Sequence, residues 1–272
     1  MSMWNSIAII GAGNLGTAIA EGITKNKLYK PADITLTRRN SAPLKAFADR
    51  GFHVTTDNLE AVDRADVLLI AVEPDGLATV LEKIRGRLDP KRHLLISVIA
   101  GVETRYLRRM TGGDIPVVRA APNTAVETGD SMTTLCTPDK RSEVIDTARR
   151  IFDSVGETML IDESLMAAST ALCASGIAFF LRAIRAAAQA GVETGFSSQD
   201  ATRMAAQTAK GAASLLLHRQ SSPESEIDRV TTPGGCTISG LNRMEQRGFS
   251  AAFIDGILHA AEKAGKLHNE KM

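Results

Sequence analysis

The chain has 272 residues, with 32 Lys plus Arg against 31 Asp plus Glu and a formal charge of +1. So even a balance gives no net field to gather nucleic acid or anionic lipid, and 4% aromatics leaves few platforms for stacked bases. With 44% hydrophobic and 23% charged residues, the chain reads as a globular protein of one large or two small domains. Three widely spaced cysteines (Cys136, Cys173 and Cys236) form no disulfide framework, and no CxxC or HExxH spacing suggests a metal. The first residues lack the basic flank and apolar run of a signal peptide, which points to a cytoplasmic protein.

Short apolar runs recur at Ser6–Ile10, Ile34–Leu36, Val67–Val72, Leu94–Ile99 and Val117–Ala120, with amphipathic or polar segments between them. That alternation predicts a parallel sheet covered by helices on both faces. The first strand runs into Gly11-Ala12-Gly13-Asn14-Leu15-Gly16, and a helical stretch Thr17–Lys25 follows. In this context the first glycine permits a tight turn, the second lets a pyrophosphate approach the backbone, and the third lets helix and strand pack closely. The helix start then offers free N–H groups and a positive dipole end to phosphate. The second strand ends in Thr37-Arg38-Arg39-Asn40, where an NAD site usually carries an acid for the ribose. Two guanidiniums suit a 2′-phosphate instead, so the expected cofactor is NADPH, with NADH left open.

Beyond about Asp162, itself a candidate N-cap, the strand signal stops. Ser164 to Leu181 carries no charge over 18 residues, close to membrane-spanning length, but it is rich in Ala, Ser and Thr and is expected to be a buried helix of a soluble protein. The Ala-rich segment should run to a stop at Gly191, with further helices at Ser198–His218 (capped by Ser197), Thr237–Gln246 and Ala251–Lys266. Between them lies Thr231-Thr232-Pro233-Gly234-Gly235-Cys236-Thr237, whose hydroxyls, glycines and N–H groups ahead of a helix suit a small anion such as a carboxylate. The expected fold is an α/β Rossmann-type domain over 1–161 and an all-α domain over 162–272. Cys173 and Cys236 read as small buried thiols without a redox role.

These residues together resemble the pyrroline-5-carboxylate reductase family nearly end to end. The most specific are Thr232–Thr237, Gly240-Leu241 and Gly248-Phe249, supported by Gly11–Gly16, Ala71-Val72-Glu73-Pro74 and Arg119–Thr124. The resemblance implies reduction of a cyclic imine to L-proline, the last step of proline synthesis, by a small-molecule enzyme that dimerises through its helical domain and in some members forms decamers. It places the pyrophosphate on Gly13, Asn14 and Leu15, with Gly11 also in the cofactor site, and the adenosine end near Thr37, Arg38, Arg39 and Asn58. Ala71, Val72, Pro74, Ala100 and Asn123 would flank the nicotinamide. The substrate carboxylate would meet Thr232, Gly234, Gly235, Cys236 and Thr237, with Ser175 nearby and the Thr237 hydroxyl on the ring nitrogen in the catalytic role. Departures at Cys173-Ala174-Ser175-Gly176-Ile177-Ala178, Glu73 and Arg185 leave open another cyclic imino acid as substrate, or a non-catalytic NADP-binding regulator. A 3-hydroxyacid dehydrogenase is disfavoured because Ser164–Ala190 holds no Lys for acid–base work.

Overall fold

A computed structural model describes residues 4–269. The chain divides into two compact units, one running to Ala174 and rejoined from Ala260, the other spanning Ser175–His259.

Among the described residues of the first unit, eight strands form one sheet: β1 (Ile7–Ile10), β2 (Ile34–Thr37), β3 (His53–Thr55), β4 (Val67–Ile70), β5 (Leu94–Ser97), β6 (Val117–Ala121), β7 (Ser131–Cys136) and β8 (Gly156–Leu160). The helices that connect them are α1 (Asn14–Lys25), α2 (Lys45–Ala48), α3 (Asn58–Arg64), α4 (Leu77–Ile84), α5 (Thr104–Thr111) and α6 (Ser142–Asp153). The central strands are continuous apolar runs because both faces are covered. Ile7, Ile9, Val67, Leu69, Leu94 and Ile96 join the core on one side, while Ala8, Ile10, Leu68, Ile70 and Leu95 join the core on the other.

Strand order is β3-β2-β1-β4-β5-β6-β7-β8, so the order reverses between β1 and β4. A crevice opens at such a switch point, outside the carboxyl ends of the strands, and ligands bind there in doubly wound sheets. The sheet is not wholly parallel, contrary to the expectation from alternation alone. β7 pairs antiparallel with β6, and β8 runs parallel to β7. The connection from Pro122 to Asp130 is too short for the crossover that a parallel neighbour needs, so the chain folds straight back. After α6 it crosses over and adds β8 beside β7.

Asp162 caps a short 3₁₀ turn by accepting the Ser164 amide at 2.8 Å, as its sequence position predicts. That turn continues through α7 (Met166–Ser169) and a π-helical segment, Thr170–Ala174. The second unit begins next, with α8 (Gly176–Glu193), α9 (Ser198–Arg219), α10 (Pro223–Val230), α11 (Cys236–Gln246) and the first part of α12 (Phe249–Asn269). Ser197 caps α9 through the Asp200 amide. The Ala-rich stretch ends later than Gly191: α8 reaches Glu193, and Gly195 takes the left-handed turn at φ +108°. Gly191 is small for another reason, since a Cβ there would lie 3.0 Å from the Cβ of Ala201 on α9.

The uncharged stretch is not buried within the chain. Leu172, Phe180 and Leu181 are 56–59% exposed. By length and composition Glu163–Glu193 would suffice to cross a membrane, with only 17% of its most apolar window buried.

Close packing at Gly191 gives the first prediction. Gly191→Leu forces α8 and α9 apart, and its urea midpoint should fall by an amount equivalent to about 1–3 kcal/mol of overpacking.

Candidate functional site

The turn after β1 is shaped by lack of room. Gly11 sits at φ +95°, and a Cβ on it would lie 2.7 Å from the Ala71 carbonyl oxygen and 2.8 Å from a Val72 methyl. Ala71 follows β4, and its amide donates to the Ile10 carbonyl at 2.8 Å. On the other side, the Gly11 and Ala12 amides both donate to the Thr37 carbonyl, at 3.1 and 2.8 Å. The buried Thr37 hydroxyl donates to Asn58 Oδ1 at 2.8 Å. The first residues beyond β1 and β4 and the last residue of β2 are thus joined by backbone hydrogen bonds at the switch point, with Asn58 tied on through its side chain.

Gly16 closes the helix onto that frame, since a Cβ would lie 2.9 Å from Ile9. Gly13 differs: a Cβ there would meet nothing within 4 Å. It precedes α1 in extended conformation, makes no side-chain cap, and no acid lies in the first helical turn. The opening therefore presents backbone N–H groups from Asn14 and Leu15 with the positive dipole end behind them, a cradle for a diphosphate. Arg38 and Arg39 are both exposed immediately beyond β2, and neither forms an ion pair with a described residue. These residues fit the diphosphate and an extra phosphate of an NADP-type cofactor.

Pro74 and Ala100, which follow β4 and β5, line one cleft of about 290 Å³ with Ala78, Val102, Glu103 and Tyr106. Tyr106 and Val102 escaped sequence reading, since they lie beyond the strand end on no motif. Asn123 is 8% exposed and already engaged. Its Oδ1 accepts from the Ala125 amide at 2.9 Å, and its Nδ2 donates to the Cys173 carbonyl at 3.3 Å. It therefore fixes a turn and the π-helical segment. Its position before a turn carried the sequence signal of an N-cap.

In the second unit, Gly234 takes φ +70° and Gly235 donates to the Thr232 carbonyl at 2.9 Å. A Cβ on Gly235 would lie 2.4 Å from the Thr232 hydroxyl, so this turn also depends on glycine. Gly235 is extended, no side chain caps α11, and its first turn holds no acid. The half-buried Thr237 and the exposed Thr232 leave their hydroxyls without a hydrogen-bond partner among the described residues. By contrast, Thr17, Thr24, Thr111, Thr170, Thr202 and Thr231 each donate to the carbonyl four residues back. Ser175, just before α8, likewise makes no side-chain cap.

Burial raises the Cys173 thiol above its ordinary value and pushes Cys136 up to about 12, so neither supplies a thiolate near neutral pH. Cys236 is exposed, contrary to the expectation of a buried thiol, because it opens α11 at the surface.

A family model for pyrroline-5-carboxylate reductase dimerisation matches residues 163–267, and one for NADP oxidoreductase, coenzyme F420-dependent, matches residues 6–101. Pyrroline-5-carboxylate reductase 2 of Dictyostelium discoideum is 45% identical over 96% of this chain and 92% of its own. Pyrroline-5-carboxylate reductase 1 of the same organism is 44% identical over 98% of this chain, which spans 50% of that longer protein. A Plasmodium falciparum pyrroline carboxylate reductase crystallised with NADP bound superposes with a TM-score of 0.87 at 25% identity, covering 98% of this chain and 100% of that one.

The open space at Gly13 gives a discriminating variant. Gly13→Ala should lower stability by no more than about 1 kcal/mol and weaken NADPH binding by at least about tenfold, as measured by NADPH fluorescence titration, because the added methyl meets no protein atom within 4 Å and stands in the cradle. Equal binding by the variant would show that no phosphate approaches this turn.

Proposed function

The chain belongs to the pyrroline-5-carboxylate reductase family, and from that premise we propose that it reduces 1-pyrroline-5-carboxylate to L-proline with NADPH as preferred donor and NADH as the alternative. It is an NAD(P)-dependent oxidoreductase. The observation that carries the reading is sequence likeness at 45% identity across nearly the whole of both chains. The glycine turn before α1 and the uncapped start of α11 support it.

In this reading residues 1–161 serve the cofactor, while 162–272 serve the substrate and the partner subunit. Asn14 and Leu15 would hold the pyrophosphate through their amides, with Gly13 leaving room for it. Arg38 and Arg39 would pair with the 2′-phosphate, which a carboxylate at the same place would repel. Ala71, Val72, Pro74 and Ala100 would shape the nicotinamide end. When bound, the reduced nicotinamide supplies the hydride for the imine carbon.

The chain's remaining task is to fix and orient the imine. The backbone amides from Gly234 to Thr237, with the Thr232 hydroxyl, would take the carboxylate at the positive end of α11. Thr237, whose hydroxyl has no hydrogen-bond partner among the described residues, would orient the ring nitrogen. An iminium that becomes an amine needs no strong protein acid, so a threonine suffices to position the nitrogen or relay its proton through water. The protein dimerises in this reading through the 163–267 region, whose exposed apolar residues suit a subunit contact better than a membrane. Assembly of such dimers into decamers and a cytoplasmic location belong to the same proposal.

Two measurements test these assignments. Thr237→Ala should lower kcat/KM for pyrroline-5-carboxylate roughly 10- to 100-fold, about 1.4 to 2.7 kcal/mol of transition-state stabilisation. Unchanged kinetics would remove Thr237 from the mechanism. The pair Arg38→Ala with Arg39→Ala should raise KM for NADPH far more than KM for NADH, whereas parallel changes would mean that the arginines do not read the phosphate. Piperideine carboxylate run beside pyrroline-5-carboxylate tells whether the altered Cys173–Ile177 segment has shifted the preferred ring size.

A further inference from the structure

The start of α5 lacks a cap of its own. Glu103 precedes it in extended conformation and makes no side-chain cap bond, and its carboxylate pairs instead with Arg105 Nε at 2.7 Å. The cap arrives from 59 residues downstream: Thr104 donates its amide to Glu163 Oε1 at 2.7 Å and its hydroxyl to Oε2 at 2.6 Å. Arg119 of β6 donates to the same carboxylate, Nη1 to Oε1, at 2.6 Å. Thr104 and Arg119 are 4% and 3% exposed, so this carboxylate meets three donors at the edge of the core. Burial alone would raise its pKa, but the Thr104 hydroxyl and the Arg119 guanidinium hold it below the ordinary glutamate value.

What the carboxylate holds is the wall of the cleft. Ala100, Gly101, Val102 and Glu103 form one side of the 290 Å³ space that Pro74 and Tyr106 also line. This stretch is loop between β5 and α5, and the Thr104 amide and hydroxyl are its anchor at the far end. We propose that Glu163 is a positioning residue for the reaction, capping α5 in trans so that the Ala100–Glu103 wall stands where the nicotinamide end of the cofactor is received. The proposal deepens the functional reading above and rests on its assignment of that cleft.

Hydrogen exchange on the cofactor-free protein tests the clamp without any assay of turnover. Glu163→Ala should deprotect amides between Ala100 and Leu107 by about tenfold or more, the cost of losing bonds to a charged acceptor, while amides of β1 and α1 keep their protection. Its NADPH dissociation constant should rise about tenfold and kcat fall roughly 10- to 100-fold, as for displaced positioning groups, with KM for the imine within about twofold of wild type. Glu163→Gln keeps the shape and two hydrogen-bonding atoms, so it should recover a measurable part of both. Thr104→Val, which retains the amide bond and loses only the hydroxyl, should produce a smaller change in the same direction and covers the case in which Glu163→Ala does not fold. Wild-type exchange and NADPH affinity in Glu163→Ala, or in Thr104→Val where Glu163→Ala does not fold, or deprotection spread evenly over the whole sheet, would overturn the proposal. A wild-type protein that binds NADPH yet turns over no pyrroline-5-carboxylate would count against the function and leave the exchange result standing.

Discussion

Everything in the first unit is arranged around a place where the backbone has no room for a side chain. Gly11 lies so close to the Ala71 carbonyl and Val72 that any Cβ would collide, and its positive φ is one that L side chains rarely adopt. Because the turn is that tight, the Gly11 and Ala12 amides reach the Thr37 carbonyl, and the first residues past β1 and β4 are tied to the end of β2. The same tightness delivers α1 at an angle that leaves Gly13 facing open space. Pre-organised N–H groups at a low-dielectric edge need no rearrangement to receive negative charge, which is why the proposed function rests cofactor binding on this frame and not on any single side chain.

Much of this frame was legible in the chain because its determinants are local. The glycine spacing, the apolar runs of β1, β4 and β5, the cap at Asp162 and the cap at Ser197 each act within a few residues, and each has the role that its neighbours dictate. The parts that escaped are governed by distant partners. β3 is three residues long and half-buried, β8 is largely exposed along one side, and neither shows the continuous apolar run of a central strand. β7, Ser131–Cys136, is buried largely through threonines and a serine and lacks the continuous apolar run that marks the central strands. Its direction follows from a short connection, a geometric fact that no residue pattern states. Gly191 looked like a helix stop, although its small size serves Ala201 on the neighbouring helix. The link of Glu163 to Thr104 and Arg119 spans 59 and 44 residues, beyond any window of periodicity.

The Ala-rich region shows the limit of reading burial from composition. An uncharged helix of this length must place its apolar surface against something, and the chain by itself covers little of it. Phe179, Phe180 and Phe249 gather around Phe253 within the second unit, yet Phe180 remains 59% exposed and Phe249 41%. Small residues such as Ala183, Ala186 and Ala187 allow a second helix to approach closely, and Arg182 and Arg185 in the same stretch would be costly in a bilayer. A subunit contact therefore accounts for both the apolar surface and the small residues, and it agrees with the dimerisation region matched over the same residues.

The two glycine turns solve one electrostatic problem twice. Gly13 and Gly235 each precede a helix in extended conformation, neither helix start is capped by a side chain, and neither first turn contains an acid. At α3, α9 and α10, by contrast, Asp57, Ser197 and Ser222 fill the corresponding position with an oxygen that consumes a helix amide, whereas α4 and α8 also start without one. Such a cap contributes about 1 kcal/mol to a helix, and an anionic ligand at either glycine would offset its omission there. At α1 the anion suited to the opening is a diphosphate, since Gly13 leaves a space wider than one hydroxyl would need. At α11 the turn is narrower, with Gly235 against the Thr232 hydroxyl, and the proposed occupant is a single carboxylate beside the Thr237 hydroxyl, which has no hydrogen-bond partner among the described residues. In the proposed function, size rather than charge distinguishes the two turns, one assigned to an amino acid ring with one carboxylate and the other to a dinucleotide with two phosphates.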